Sequence, residues 1–315
     1  MLRNRFAGWF AVTVCALAFG QSLHAAPVIL VANWNGPLAE YNLDGTLVNA
    51  SLIPALSNPG GIAVSGQDIF VTEIDNGAVG EYTTAGVTVN TALISTLLRP
   101  GGPSSSPLGI AVSGGDLFIA NSGIGTIGEY TTTGATVNAG LVGGLSRPAG
   151  IAASGSAFYV TQIGSNTLGA YTTAGATVNA ALVSTLADSQ GIAVSGSDIF
   201  VTNYFAGTIS EYTTSGTLVN SSVVSGLSYP VDLQIYGNDL FVANSGTATI
   251  GEYTTSGATV NAALIAGLKP ATSAFAIADV SAGSDIPEPA PPASLLAIGL
   301  SLLAVVRFRR RATSR

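Results

Sequence analysis

Between residues 27 and 286 this chain of 315 residues has no cysteine, no histidine and no methionine. Cys15, His24 and Met1, each the sole residue of its type, all fall within the first 26 positions. Without cysteine there is no disulfide support, so a folded body must be held by its core. The roughly 255 residues of the body suffice to bury one. Without histidine and cysteine the body cannot build Ser-His or Cys-His nucleophiles or histidine-bound zinc. Positive charge is nearly as scarce. From Glu40 to Glu288 three basic residues (Arg99, Arg147 and Lys269) stand against 17 acidic ones, a formal charge of −14. That balance argues against a nucleic-acid partner, which needs a basic footprint. It favours solubility outside a cell.

Long apolar runs are absent too, and the two short ones sit at the ends. Residues 1–26 carry Arg3 and Arg5, an apolar stretch from Gly8 to Gly20, then small residues up to Ala26. This order is that of a secretory signal peptide, cut by signal peptidase near Ala25 or Ala26. At the other end Pro287-Glu288-Pro289 precedes 14 apolar or small residues, Ala293 to Val306, and then Arg307, Arg309, Arg310 and Arg311. As a helix that run spans roughly 21 Å, short of a bilayer core of about 30 Å. The basic residues behind it favour the cytoplasmic side. The tripartite tail resembles the PEP-CTERM sorting signal of Gram-negative bacteria. The resemblance implies processing by an exosortase at the Pro-Glu-Pro region, transient membrane insertion of the hydrophobic helix, and delivery to the cell surface or extracellular matrix. An ordinary short C-terminal anchor is the alternative. Residues 282–292 read as a Pro-rich linker and 293–315 as the helix and basic tail.

What fills the body is repetition. "IGEYTTTGATVN" at residues 127–138 recurs as "LAEYNLDGTLVN", "VGEYTTAGVTVN", "LGAYTTAGATVN", "ISEYTTSGTLVN" and "IGEYTTSGATVN". Its tyrosines are Tyr41, Tyr82, Tyr130, Tyr171, Tyr212 and Tyr253, about 41 residues apart except across one insertion at 101–107. One period breaks into four short runs rich in Val, Ile, Thr, Tyr and Phe, punctuated by Gly, Ser, Asn and Asp. Four strands per period make a propeller blade. The chain starts on a second strand (Val28) and ends on a first strand (273–280), so the last strand should complete the first blade. The expectation is an all-β, six-bladed propeller over residues 27–281, closed by its C-terminal strand.

The runs "PGGIAVSGQDIFVTE", "PLGIAVSGGDLFIAN" and "SQGIAVSGSDIFVTN" resemble NHL-type propeller repeats, with Ser in place of the Asp that usually follows "IAV". The resemblance implies a binding scaffold. Some related six-bladed propellers are metal-dependent enzymes.

Strand direction alternates within a blade, so second-to-third loops and blade-to-blade connections share one face. There the copies differ, as binding positions on a rigid scaffold do. Each loop opens on an amide or carboxylate: Asn33, Glu73, Asn121, Gln162, Asn203 or Asn244. These either satisfy backbone groups at strand ends or form a polar ring that holds a cation or a sugar. One glutamate among amides is thin for Ca²⁺. Trp34, Tyr204 and Phe205 either stack on sugar rings or cover the core. The connections add Arg99, Arg147, Lys269, Asp188, Gln190, Tyr229 and Asp232. The predicted function is non-enzymatic binding of exopolysaccharide or a surface protein through this face, with no cofactor. The alternatives are a passive matrix protein and a metal-dependent hydrolase or lactonase.

Overall fold

The computed structural model describes residues 27–33, 35–95, 97 and 106–268, and the backbone of 272–278. The expected leader, the expected sorting tail with Pro287, Glu288, Pro289, Arg309, Arg310 and Arg311, and also Trp34, Arg99 and Lys269 lie outside the described residues. Among the described residues no helix is long and apolar enough to cross a membrane.

Six antiparallel four-stranded sheets make six blades. Blade II runs Pro59–Ser65, Asp68–Glu73, Ala78–Thr83 and Thr88–Ile94 from axis to rim. Blades III, IV, V and VI repeat this order, beginning at Pro107, Pro148, Ile192 and Pro230. Blade I is assembled from both ends. Thr272–Ala278 pairs with Val28–Asn33, in register from Val28 opposite Ala278 to Ala32 opposite Ala274. The inner strands of successive blades neighbour one another all round, including Thr272–Ala278 between those of blades VI and II. The propeller is therefore six-bladed and closed by its last strand, as the offset ends of the repeat required. Closure removes the free inner edge that an open sheet would leave.

Burial follows position in the blade. Second strands such as Asp116–Asn121 are apolar between their ends and buried after the first residue, because a neighbouring blade covers each face. The cores lie between blades: Val28, Leu30 and Leu38 of blade I pack with Ile62, Ile69 and Val71 of blade II. The repeated tyrosine reaches into these cores, and Tyr130 and Tyr171 are almost fully buried. Its ring folds back over the residue two before it. A Cβ on Gly128 would lie 2.7 Å from the Tyr130 ring, which accounts for the Gly-x-Tyr spelling.

A second close approach sets the bore. The inner strands touch through glycine: a Cβ on Gly61 would sit 2.6 Å from the Leu108 carbonyl oxygen, and one on Gly150 would collide with the Gln190 carbonyl. Buried threonines stitch the same contact. Thr72 Oγ1 donates to Leu108 O at 2.8 Å, and Thr161 Oγ1 donates to Gln190 O at 2.8 Å while accepting from Gly150 N at 2.9 Å.

Outer strands are exposed and irregular. In blade II Val79 faces Ile94 but Glu81 faces Asn90, so the outer strand carries two extra residues between those pairs. The same shift occurs in the other five blades. At each shift an asparagine Oδ1 accepts from the N–H two residues on, at 2.9–3.1 Å: Asn49, Asn90, Asn138, Asn179, Asn220 and Asn261. Bulges of this kind interrupt the ladder that an edge strand would offer to another chain.

Candidate functional site

The face bearing the second-to-third loops and the blade-to-blade connections surrounds the mouth of the axial channel. Each described connection contains a non-glycine residue in the left-handed region: Asn58, Ser106, Arg147 and Tyr229, immediately before the inner strand, and Asp188, four residues before Ile192, with φ from 46° to 52°. Such backbone costs about 1 kcal/mol or more per residue and persists only where its surroundings dictate it. Here the carbonyl of this residue accepts from the adjoining loop: Ile74 N to Asn58 O at 2.9 Å, Ile163 N to Arg147 O at 3.1 Å, and Ser245 N to Tyr229 O at 3.1 Å. A fixed backbone thus presents a different side chain in every blade. Arg147 and Tyr229 are two members of this ring, both exposed.

The loop-opening amides sit deeper. Glu73, Asn121, Gln162, Asn203 and Asn244 are all buried, and their side chains tie loops to connections and third strands. Gln162 Oε1 accepts from Ser146 N at 3.0 Å, and Asn203 Nδ2 donates to Ser210 Oγ at 2.7 Å. Asn244 Oδ1 accepts from Ser228 N at 3.4 Å. The Asn121 Nδ2 donates to Thr126 Oγ1 at 3.4 Å. Glu73, the one carboxylate in the series, accepts from Asn76 Nδ2 at 2.6 Å and from Tyr82 OH at 3.2 Å. Burial first, and then the Glu73 charge and hydrogen bond, push the Tyr82 hydroxyl well above its usual pKa. Among the described residues no three His, Cys, Asp or Glu side chains gather as metal ligands.

The open part of the mouth is a cavity of 290 Å³. Ile62, Ile110, Ile151 and Ile192 form its apolar depth, and inner-strand glycines bring backbone to its walls. Its polar side chains come from one sector: Gln190, Asp232, Gln234 and Ser245, with Tyr204 beside them. This sector is where the repeat breaks. The inner strands of blades II–V carry Gly-Ile-Ala (Gly61-Ile62-Ala63 in blade II), whereas blade VI reads Asp232-Leu233-Gln234. Blade V places Tyr204 and Phe205 where blade IV has Ile163 and Gly164. Tyr204 packs edge-on against Phe205 and tilted against Tyr229, with ring centroids 5.0 Å apart in both pairs. Phe205 is 73% exposed and Tyr229 48%. Sequence reasoning named Tyr204, Phe205, Tyr229 and Gln190 but missed Gln234 and Ser245. The departure of "PVDLQIY" from "PGGIAVS" was the available signal.

Away from the mouth the blades are acidic. Asp68, Asp116, Asp198 and Asp239 open the second strands, and Glu81, Glu129, Glu211 and Glu252 lie diagonally from them on the third, opposite Phe70, Phe118, Phe200 and Phe241. Burial, then repulsion from the nearby aspartate, holds these four glutamates above the usual carboxylate range. In blade IV both positions are alanine, Ala157 and Ala170.

No protein-family model matches the chain, and no curated protein does. Solved structures do. A chain of a nidogen–laminin complex superposes with a TM-score of 0.68 at 16% identity, covering 82% of this chain and 100% of that one. Virginiamycin B lyase from Staphylococcus aureus gives 0.55 at 20% identity over 80% of this chain and 88% of its own. A catalytically inactive histidine-to-alanine variant of that lyase, with quinupristin, gives 0.58 at 20% identity over 82% and 93%. At these identities the likeness is one of fold alone.

Proposed function

We propose that this protein is an exported, surface-sorted propeller that binds a matrix exopolysaccharide, without catalysis, at the blade V–VI sector of the channel mouth. The observation that carries the reading is the convergence of repeat-breaking residues. Tyr204, Phe205 and Tyr229 form an aromatic platform, with Phe205 and Tyr229 exposed, beside a cavity with Gln190, Asp232, Gln234 and Ser245 on its wall. Aromatic faces cover the apolar faces of sugar rings, and amide, hydroxyl and carboxylate groups meet their hydroxyls. The leader and the PEP-CTERM-like tail would bring the domain to where such polymers are, with Arg309, Arg310 and Arg311 retained inside until exosortase cuts. A propeller taken from a complex of nidogen with laminin is in keeping with a matrix-binding use of the fold.

The test is a titration of the producer's exopolysaccharide into the secreted protein, first with Ca²⁺ and then with chelator. Combined Tyr204→Ala, Phe205→Ala and Tyr229→Ala should abolish saturable binding, since one central aromatic contributes about 2 kcal/mol, roughly 30-fold in Kd. Binding lost only with chelator would move the site to a cation held by the loop amides. Undiminished binding by the triple variant would sink the proposal. Replacing Pro287-Glu288-Pro289 by alanines should leave the protein in the membrane fraction.

The lyase neighbours favour a second reading, an enzyme. Loss of one histidine inactivates that lyase, and residues 27–286 here contain none, which weighs against the same chemistry. Cleavage of the polymer during the titration, lost in Asp232→Asn, would favour the enzyme.

A further inference from the structure

The six outer-strand asparagines are equivalent in position, exposure and hydrogen bonding, yet their sequence contexts differ. Two residues after Asn49 comes Ser51, and two after Asn220 comes Ser222. After Asn90, Asn138, Asn179 and Asn261 the same place holds Ala92, Gly140, Ala181 and Ala263. Asn49-Ala50-Ser51 and Asn220-Ser221-Ser222 are thus Asn-x-Ser acceptor sequences, a signal for asparagine-linked glycosylation in exported chains. All six of these residues are exposed. In both, the serine N–H already bends the segment toward the asparagine side chain: Ser51 N donates to Asn49 Oδ1 at 3.0 Å and Ser222 N to Asn220 Oδ1 at 2.9 Å. The bulge around each asparagine takes this stretch out of the regular ladder, so it stands on the rim accessible to an enzyme.

We propose that Asn49 and Asn220 carry asparagine-linked glycans, one on blade I and one on blade V. The donor is an oligosaccharide on a lipid pyrophosphate, acted on by an oligosaccharyltransferase of the export compartment. The asparagine Nδ2 forms a bond to the anomeric carbon. The bond from that carbon to the pyrophosphate oxygen breaks, the lipid pyrophosphate leaves with the electron pair, and the amide proton passes to a base of the transferase. The inference rests on the export part of the proposed function and is independent of what the channel mouth binds. The other four asparagines are internal controls, sharing the geometry but not the hydroxyl.

The test is mass spectrometry of protein purified from the culture of its producing cells and cut after glutamate. Cleavage isolates Asn49 in residues 41–73 and Asn220 in residues 212–252. Both peptides should carry hexose-containing adducts on asparagine, and the peptides holding the other four asparagines should not. Ser51→Ala and Ser222→Ala should each remove the adduct from its own peptide. These variants keep the fold, because four blades already lack the serine and the turn uses only its backbone N–H. Unmodified masses for both peptides, or adducts that persist in the alanine variants, would overturn the proposal. Whether residues 1–26 are still attached distinguishes failure of export from failure of glycosylation.

Discussion

Adding one methyl group at Gly150 tests how the bore is built. The new Cβ would collide with the Gln190 carbonyl of the next inner strand and lie 3.0 Å from Ile192 Cγ2 and 3.1 Å from Thr161 Oγ1. Backbone cannot yield as a side-chain tip can, so blades IV and V must separate locally. Overpacking alone costs about 1–3 kcal/mol. Separation also strains the Thr161 hydroxyl bridge between Gly150 N and Gln190 O, and a buried hydroxyl left unpaired costs about 1–3 kcal/mol. A combined loss of about 3 kcal/mol lowers the Tm of a domain of this size by roughly 6–12 °C. The assay is thermal unfolding of Gly150→Ala followed by circular dichroism. Gly143→Ala is the matched control, because a Cβ at Gly143 meets nothing within 4 Å and its φ is not positive. That control should stay within about 0.5 kcal/mol of the parent. If Gly150→Ala melts no lower than Gly143→Ala, the inner strands are not packed as described, and the account of the bore fails.

Two further outcomes follow from charge and closure. Glu81, Glu129, Glu211 and Glu252 hold protons more tightly folded than unfolded. Their contribution to stability is therefore fully present below the unfolded glutamate value and lost as pH rises through the raised folded values. The Tm should be higher near pH 5 than at pH 7.5, opposite to ordinary acid denaturation. Changing all four to Gln should flatten that slope, while Ala157→Asp with Ala170→Glu, a fifth pair, should steepen it. Truncation before Thr272 removes the strand paired with Val28–Asn33. It should abolish the single cooperative melting transition, and a truncated chain that still unfolds in one step at the parent temperature would contradict closure by that strand.

The fold was legible because each blade repeats the others, so strand count, phase and closure could be checked six times over. The site was legible only in part. Tyr204, Phe205 and Tyr229 stood out because they break the repeat on the variable face. The burial of Glu73, Gln162 and Asn244 was not legible, since it depends on how a connection folds over the end of a second strand. Nor was the left-handed ring. Asn58, Ser106, Arg147, Asp188 and Tyr229 share a backbone state but no side-chain chemistry, and proline follows four of the five. Asp232 was read as one more face residue. Its place on the cavity wall comes from the inner position of its strand.

The offset closure also decides which way the molecule points. Inner strands run from the channel mouth to the opposite end, so Ala278, the last described residue, leaves blade I at the foot of the propeller. Val28 enters at the same end, paired directly with Ala278. Any tether that continues from that strand grips the domain from beneath, like the stem of a goblet. Tyr204, Phe205 and Tyr229, at the channel mouth, lie at the opposite end from it, which is the orientation the proposed surface sorting requires.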